Sequence, residues 1–319
     1  MMLEPISDTP RRRRPFVMVL LSAVALGALL AVLQSRASRD SVGGPLLTEG
    51  PAAGGQAQVS TDAVAVAAPP EVAFDADECI HGPGMVPAGL TKITLTNMGK
   101  QEIHQIQLVE LEDGRTYDDV TDALQSPDEL DPSWISYAGG PNAVVPGRSA
   151  SAFVDLKPGR YVVICTIANS LGKPHYTEGM AMELTVTDSG VTAVAAPPAD
   201  LEVSGQEFAF GDMGLAEGLP AGPRVVSFVN KGTQPHEAAL IRLDAGATAA
   251  DYYAAVAAAG DTPMPGQRVG GMGAIIPGQA QSFIADLQPG RYALICFVID
   301  PAARVAHAAM GMTTEFQVN

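Results

Sequence analysis

A set of four residues with metal-binding side chains occurs twice in this chain, in the same order and at nearly the same spacing. The two sets lie about 132 residues apart and consist of His104, Cys165, His175 and Met180, and of His236, Cys296, His307 and Met312. A thiolate, two imidazoles and a weak axial thioether form the ligand set of a blue-copper site. The chain has only five histidines and three cysteines, so the double set takes up most of them and predicts two copper sites.

The sequence around these residues repeats with the same period. Residues 156–165, LKPGRYVVIC, correspond to residues 287–296, LQPGRYALIC. A period near 130 residues is the size of a whole domain. We therefore predict two homologous domains, residues 70–188 (the first repeat) and residues 199–319 (the second repeat), joined by a short linker over 189–198.

The N-terminal part of the chain has the features of a membrane anchor. Residues 1–14 form a basic terminus with four consecutive arginines, and an uncharged apolar run extends from Phe16 to Leu33. The sequence predicts a transmembrane helix over 15–35 with its N-terminus in the cytoplasm, although a cleaved signal peptide is an alternative. Residues 36–69, rich in Gly, Ala, Ser and Pro, predict a flexible stalk. Both domains would then lie on the extracytoplasmic side of a bacterial cell membrane.

Charge and the remaining cysteine limit the possible partners. The formal net charge of −16 argues against nucleic acid, which requires a basic surface. Membrane contact is expected through the N-terminal helix only. Cys79 and His81 have no counterparts in the second repeat; Cys79 is expected to be a buried free thiol, and neither residue is given a role.

Short alternating segments separated by Gly and Pro predict strands in each repeat. Within RYVVIC, the residues Tyr161, Val163 and Cys165 share one face, which we expect to point inward. Residues 116–125 and 248–259 predict one helix in each repeat. We predict an all-β fold of two tandem Greek-key β-sandwiches, each with one short helix, in which two loops of each repeat bring its four ligands to one end.

The segments that carry the ligands resemble the cupredoxin family, which includes plastocyanin and azurin. NKGTQPHE at 230–237 is similar to the family's turn before the first histidine, and residues 294–312 are similar to its closing Cys–His–Met loop. Residues 97–105 and 163–180 match the same pattern in the first repeat. The resemblance implies that each set of four residues binds one copper ion.

Two features depart from the family pattern: the loop after the cysteine is longer, and Gln105 and Glu237 follow the first histidine where plastocyanin-like proteins have Asn. Nine residues separate Cys165 from His175 and ten separate Cys296 from His307, which is longer than in simple electron carriers of the family. Met182 and Met310 lie near the expected axial methionines and are alternatives to them. Met180 and Met312 are preferred because both follow a glycine at the same distance from the second histidine.

Together these features predict a membrane-anchored, extracytoplasmic copper protein that exchanges electrons with an unknown redox protein and binds up to two copper ions per chain. We expect no enzymatic activity, because only His81 remains for a catalytic copper centre after the ligands are assigned. Copper storage or delivery, and a metal-free cupredoxin-fold binding or structural module, are the alternatives.

Overall fold

The computed structural model describes residues 68–125, 134–188, 194–211, 218–258, 260 and 262–319. The predicted basic terminus and anchor lie outside these residues, as do most of the predicted stalk and half of the linker. No helix among the described residues is long and apolar enough to cross a membrane. The described residues all belong to one compact unit.

Both repeats are built mainly of strands. The strands of the first repeat are β1 (Glu71–Ala76), β2 (Ile80–His81), β3 (Met85–Pro87), β4 (Gly89–Asn97), β5 (Gln107–Leu111), β6 (Ser136–Gly139), β7 (Ser149–Leu156), β8 (Gly159–Ile164) and β9 (Ala181–Thr187). Those of the second repeat are β10 (Leu201–Gln206), β11 (Ala209–Phe210), β12 (Gly222–Asn230), β13 (His236–Leu243), β14 (Gly266–Ile275), β15 (Ala280–Leu287), β16 (Gly290–Ile295) and β17 (Thr313–Val318). The prediction of a mostly β fold is confirmed.

Two large sheets run through both repeats. One has eight strands in the order β11-β10-β12-β15-β7-β4-β1-β2, and the other has nine in the order β17-β16-β13-β14-β6-β5-β8-β9-β3. The repeats are joined where β7 pairs with β15 and β6 pairs with β14, both antiparallel. The sequence did not predict this sharing of sheets, nor the parallel pairs β1–β4, β10–β12 and β3–β9.

The main hydrophobic core lies between the two sheets. Ile93 of β4 packs in the same cluster as Tyr161 and Val163 of β8, and Cys165 belongs to it as well. The predicted inward face of this segment is therefore confirmed. The alternate residues Val162 and Ile164 point to the other side of the sheet, as the period of two in a strand requires.

One helix covers the outer face of the nine-stranded sheet in each repeat. Helix α1 (Tyr117–Gln125) and helix α2 (Ala249–Ala258) begin within two residues of their predicted positions. Each starts with a capping box, in which the threonine hydroxyl accepts a hydrogen bond from the aspartate amide three residues on and the carboxylate accepts from the threonine amide. The pairs are Thr116 with Asp119 and Thr248 with Asp251.

Candidate metal centres

A buried asparagine holds the loop that carries the first histidine of each repeat. Asn97, at the end of β4, donates to the carbonyls of Glu102 and Val144 at 2.9 Å and accepts from the amide of Gly99 at 2.9 Å. The amide of His104 in turn donates to the carbonyl of Val144 at 3.3 Å. These bonds fix the short loop between β4 and His104 against the neighbouring segment.

The second repeat has the same arrangement. Asn230 donates to the carbonyls of Gln234 and Ile275 at 2.8 Å and accepts from the amide of Gly232 at 2.9 Å. His236 begins β13 and pairs with Ile275 of β14. The sequence indicated a turn before the first histidine but not the role of its asparagine, which the occurrence of Asn97 and Asn230 at the ends of matched strands could have indicated.

The cysteine, second histidine and methionine come from one closing loop. Cys165 follows β8, and its amide donates to the carbonyl of Met180 at 3.1 Å. A short 3-10 helix, His175–Glu178, ends at Gly179, whose φ of 103° is a left-handed conformation that favours glycine. In the second repeat the 3-10 helix is His307–Met310, and the amide of Cys296 donates to the carbonyl of Met312 at 3.2 Å.

The first centre brings His104, Cys165 and His175 together. One ligand atom of each lies within 4.8 Å of the others, and Cys165 Sγ is 3.5 Å from His175 Nδ1. The three side chains are buried. Nδ1 of His104 is a buried atom with no hydrogen-bond partner in the described part of the chain, which is costly unless another group, such as a metal ion, takes its place. Met180 is also buried and belongs to the same core cluster as Cys165.

The second centre is formed by His236, Cys296 and His307, which also meet within 4.8 Å. The Nδ1 atoms of the two histidines are 3.0 Å apart, and Cys296 Sγ is 3.4 Å from His307 Nδ1. Neither imidazole nor the thiol has any exposed surface, and Met312 is equally buried. Two imidazoles and a thiol buried close together are a donor set that suits copper.

The placement of the methionines distinguishes the preferred axial residues from their neighbours. Met310 is 38% exposed and lies on the outside of the closing loop. Met182 lies in β9 and is only partly buried. Met180 and Met312, each directly after the left-handed glycine, are therefore better placed to contribute a thioether.

The outer edge of each second histidine faces a polar side chain. His307 Nε2 lies 3.0 Å from Gln234 Oε1, and the amide of Gln234 is oriented by donating to Asp300 at 2.8 Å. His175 Nε2 lies 2.9 Å from a carboxylate oxygen of Glu102. The hydrogen bond to Gln234 calls for a proton on Nε2 of His307, which leaves the lone pair of its Nδ1 directed at Cys296, as a metal ligand requires.

Burial determines the protonation of the ligand side chains in the metal-free protein. Burial, with the nearby second imidazole, lowers the pKa of His104 and of His307 to about 4, and burial lowers that of His236 as well. These imidazoles are therefore neutral at pH 7. Burial raises the pKa of Cys165 to about 11 and that of Cys296 further still, so both thiols keep their protons until a metal displaces them.

Cys79 and His81 lie apart from both centres. Cys79 is exposed, so the expectation of a buried thiol is wrong. It lies in the turn between β1 and β2, where its amide donates to Asp77, and His81 Nε2 is 3.3 Å from the same carboxylate. All three cysteines are free thiols.

No protein-family model matches the sequence, and no curated protein matches it. Solved structures similar to this one include blue copper proteins of photosynthetic bacteria. An auracyanin from Roseiflexus castenholzii is 25% identical, with 37% of this chain and 94% of that chain covered and a TM-score of 0.25. Auracyanin A, a "blue" copper protein from Chloroflexus aurantiacus, is 16% identical, with 38% and 100% covered and a TM-score of 0.29.

Enzymes are among the similar structures as well. A copper nitrite reductase from Nitrosomonas europaea is 14% identical, with 78% of this chain and 93% of that chain covered and a TM-score of 0.23; a multicopper oxidase is another. The prediction that this chain is not an enzyme is therefore wrong. The count of spare histidines on which it depended was insufficient, because carboxylates are metal ligands too.

Proposed function

We propose that this chain is a two-domain cupredoxin that binds one copper ion in each repeat and transfers electrons through the two sites. The observation that carries the proposal is the pair of buried His–Cys–His groups, each with its ligand atoms within 4.8 Å. Copper, when bound, supplies a one-electron couple between Cu(I) and Cu(II). In each repeat the cysteine thiolate, the two imidazoles and the thioether of Met180 or Met312 would hold the ion.

The protein residues prepare these sites for electron transfer in three ways. Burial of all three donor groups keeps water from the site. The asparagines at the ends of β4 and β12 hold the loop of the first histidine, Gln234 accepts a hydrogen bond from His307, and the Glu102 carboxylate lies 2.9 Å from His175 Nε2. The amides of Gln105 and Glu237 lie 3.5 Å from the cysteine sulfurs and donate to them, which stabilises a thiolate. A site held in this way changes little when an electron arrives or leaves.

The cellular setting follows from the sequence outside the described residues. We propose that the apolar run from Phe16 to Leu33 anchors the protein in a bacterial membrane, with the two repeats on the extracytoplasmic side. The partner would be another redox protein, because electron transfer requires one. The net charge of −16 disfavours nucleic acid as a partner. Four arginines before the apolar run support this orientation.

The test is a visible absorption spectrum of the purified protein during titration with Cu(II). We expect an intense thiolate-to-copper band that saturates near two equivalents and disappears on reduction and returns on oxidation. Cys165→Ala and Cys296→Ala should each remove one equivalent, and the double variant should remove the band. Cys79→Ala, which changes an exposed thiol outside both centres, is the matched control and should keep both equivalents.

Each contrary result has a defined meaning. A double variant that binds copper as the wild type does would contradict the proposed ligands. Absence of copper binding by the wild type would contradict the proposed function and favour a metal-free cupredoxin-fold module. Copper that binds without a redox-active band would favour storage or delivery.

A further inference from the structure

The two centres differ at the residue that follows the first histidine. The backbone amide of this residue has the same role in both repeats, since the amides of Gln105 and Glu237 each donate to the cysteine sulfur at 3.5 Å. The side chains are not equivalent in charge. Gln105 is neutral and its amide nitrogen donates to the hydroxyl of Thr166 at 2.5 Å, whereas the second repeat has a carboxyl group at the same place.

Glu237 is almost entirely buried, with 6% of its surface exposed. One oxygen accepts a hydrogen bond from the amide of Phe297, the residue after Cys296, at 2.9 Å. The other accepts from the side-chain nitrogen of Asn142 at 2.8 Å. In these two bonds the partner of each Glu237 oxygen is an N–H donor, and neither oxygen faces another acceptor. The contacts therefore fit an ionised carboxylate.

The orientation of Asn142 is fixed by its other bonds. Its side-chain oxygen accepts from the amide of Ala143 at 2.7 Å and from the guanidinium of Arg268 at 3.5 Å. Its nitrogen donates to the carbonyl of Met272 as well as to Glu237. The amide therefore cannot be turned around without the loss of these bonds, and its N–H group must point at the carboxylate.

Arg268 supplies the positive charge that accompanies the buried carboxylate. It is 5% exposed, and its guanidinium lies over the ring of Phe297 at 4.1 Å. Glu237, Asn142 and Arg268, here called the junction cluster, lie where the repeats meet, since Asn142 belongs to the first repeat and the other two to the second. Val144, two residues after Asn142, pairs with both His104 and Val269, so the cluster extends from one centre towards the other.

We propose that the junction cluster makes the two copper centres unequal, with a lower reduction potential at the second centre, so that electrons pass from the second centre to the first. This inference rests on the proposed function. A negative charge fixed in a dry site beside the ligand thiolate favours Cu(II) over Cu(I), since electrostatic interactions are strong where water is excluded. Glu237 places that charge at the second centre, and Gln105 places none at the first.

The experiment is a spectroelectrochemical titration of the copper-loaded protein, with the centres assigned by Cys165→Ala and Cys296→Ala. In the otherwise unmodified protein we expect the first centre to take up the first electron. Glu237→Gln is measured in the Cys165→Ala background, so that only the second centre binds copper. At a fixed potential, the ratio of reduced to oxidised copper should rise about tenfold. This change corresponds to a reduction potential higher by about 59 mV for one electron. Glu202→Gln removes an exposed carboxylate of the same repeat, paired with Lys231, and should change the ratio less than twofold.

Three results would overturn the inference: equal potentials at the two centres, a higher potential at the second, or no shift in Glu237→Gln relative to Glu202→Gln. The order of the potentials requires no change in the junction cluster, so it remains decisive if Glu237→Gln does not fold. These results are distinct from failure of the proposed function, which would appear as absence of the thiolate-to-copper band before any potential is measured.

Discussion

Asn230→Ala offers a direct test of how the second centre is positioned. The change removes three hydrogen bonds, two of them to carbonyls and one from an amide of the loop before His236. Asn230 is completely buried. Each lost bond costs about 1 kcal/mol, and a buried group left without a partner costs about 1–3 kcal/mol, so we expect the free energy of unfolding to fall by about 3–5 kcal/mol.

The assay is urea unfolding of the metal-free protein, followed by titration with Cu(II). Asn169→Ala is the matched control, because Asn169 also makes three hydrogen bonds, but in a partly exposed loop where water can replace them. We expect its loss to be about 1 kcal/mol or less. In Asn230→Ala the second centre should also bind copper more weakly than the first. Equal losses of stability in the two variants, with copper binding unchanged, would refute the assigned role of Asn230.

Two further predictions concern protons. The pKa of His104 and of His307 is about 4 in the folded protein, against 6.5 for an ordinary histidine. As the pH falls, the unfolded chain therefore binds protons before the folded protein does. The free energy of unfolding should be highest above pH 6.5 and fall towards pH 4, by up to about 3 kcal/mol for each imidazole. Urea unfolding of the metal-free protein across this range checks it, and a flat profile would contradict it. Because burial raises the pKa of Cys165 and Cys296, copper binding at pH 7 should release one proton from each thiol; a pH-stat titration should record two protons for the wild type and one for Cys165→Ala, and no release would show that the thiols are not ligands.

The ligand sets were predictable from the sequence because each residue type is rare and its spacing recurs. The chain has only five histidines and three cysteines. The match of His104 and Cys165 to His236 and Cys296 is therefore easily distinguished from chance recurrence. The strand faces were predictable as well, since the alternation in RYVVIC places every second residue in the core. Local patterns of this kind depend only on neighbours in the chain.

The junction of the repeats was not predictable by the same means. Pairing of β7 with β15 and of β6 with β14 joins residues more than 100 positions apart, and no local pattern specifies it. Glu237 was visible in the sequence only as a departure from the family pattern. Its carboxylate acquires a meaning once Asn142, 95 residues earlier, is found beside it.

The junction also explains why two similar repeats need not have identical sites. Ile275 pairs with His236 in the second repeat and also with Ala138 in the first, while Val144 pairs with His104 and with Val269. Each first histidine is thus supported by a segment that contacts the opposite repeat. A substitution at this junction can change the surroundings of one centre while the ligands of both stay the same, and the exchange of a neutral side chain for Glu237 is a change of this kind.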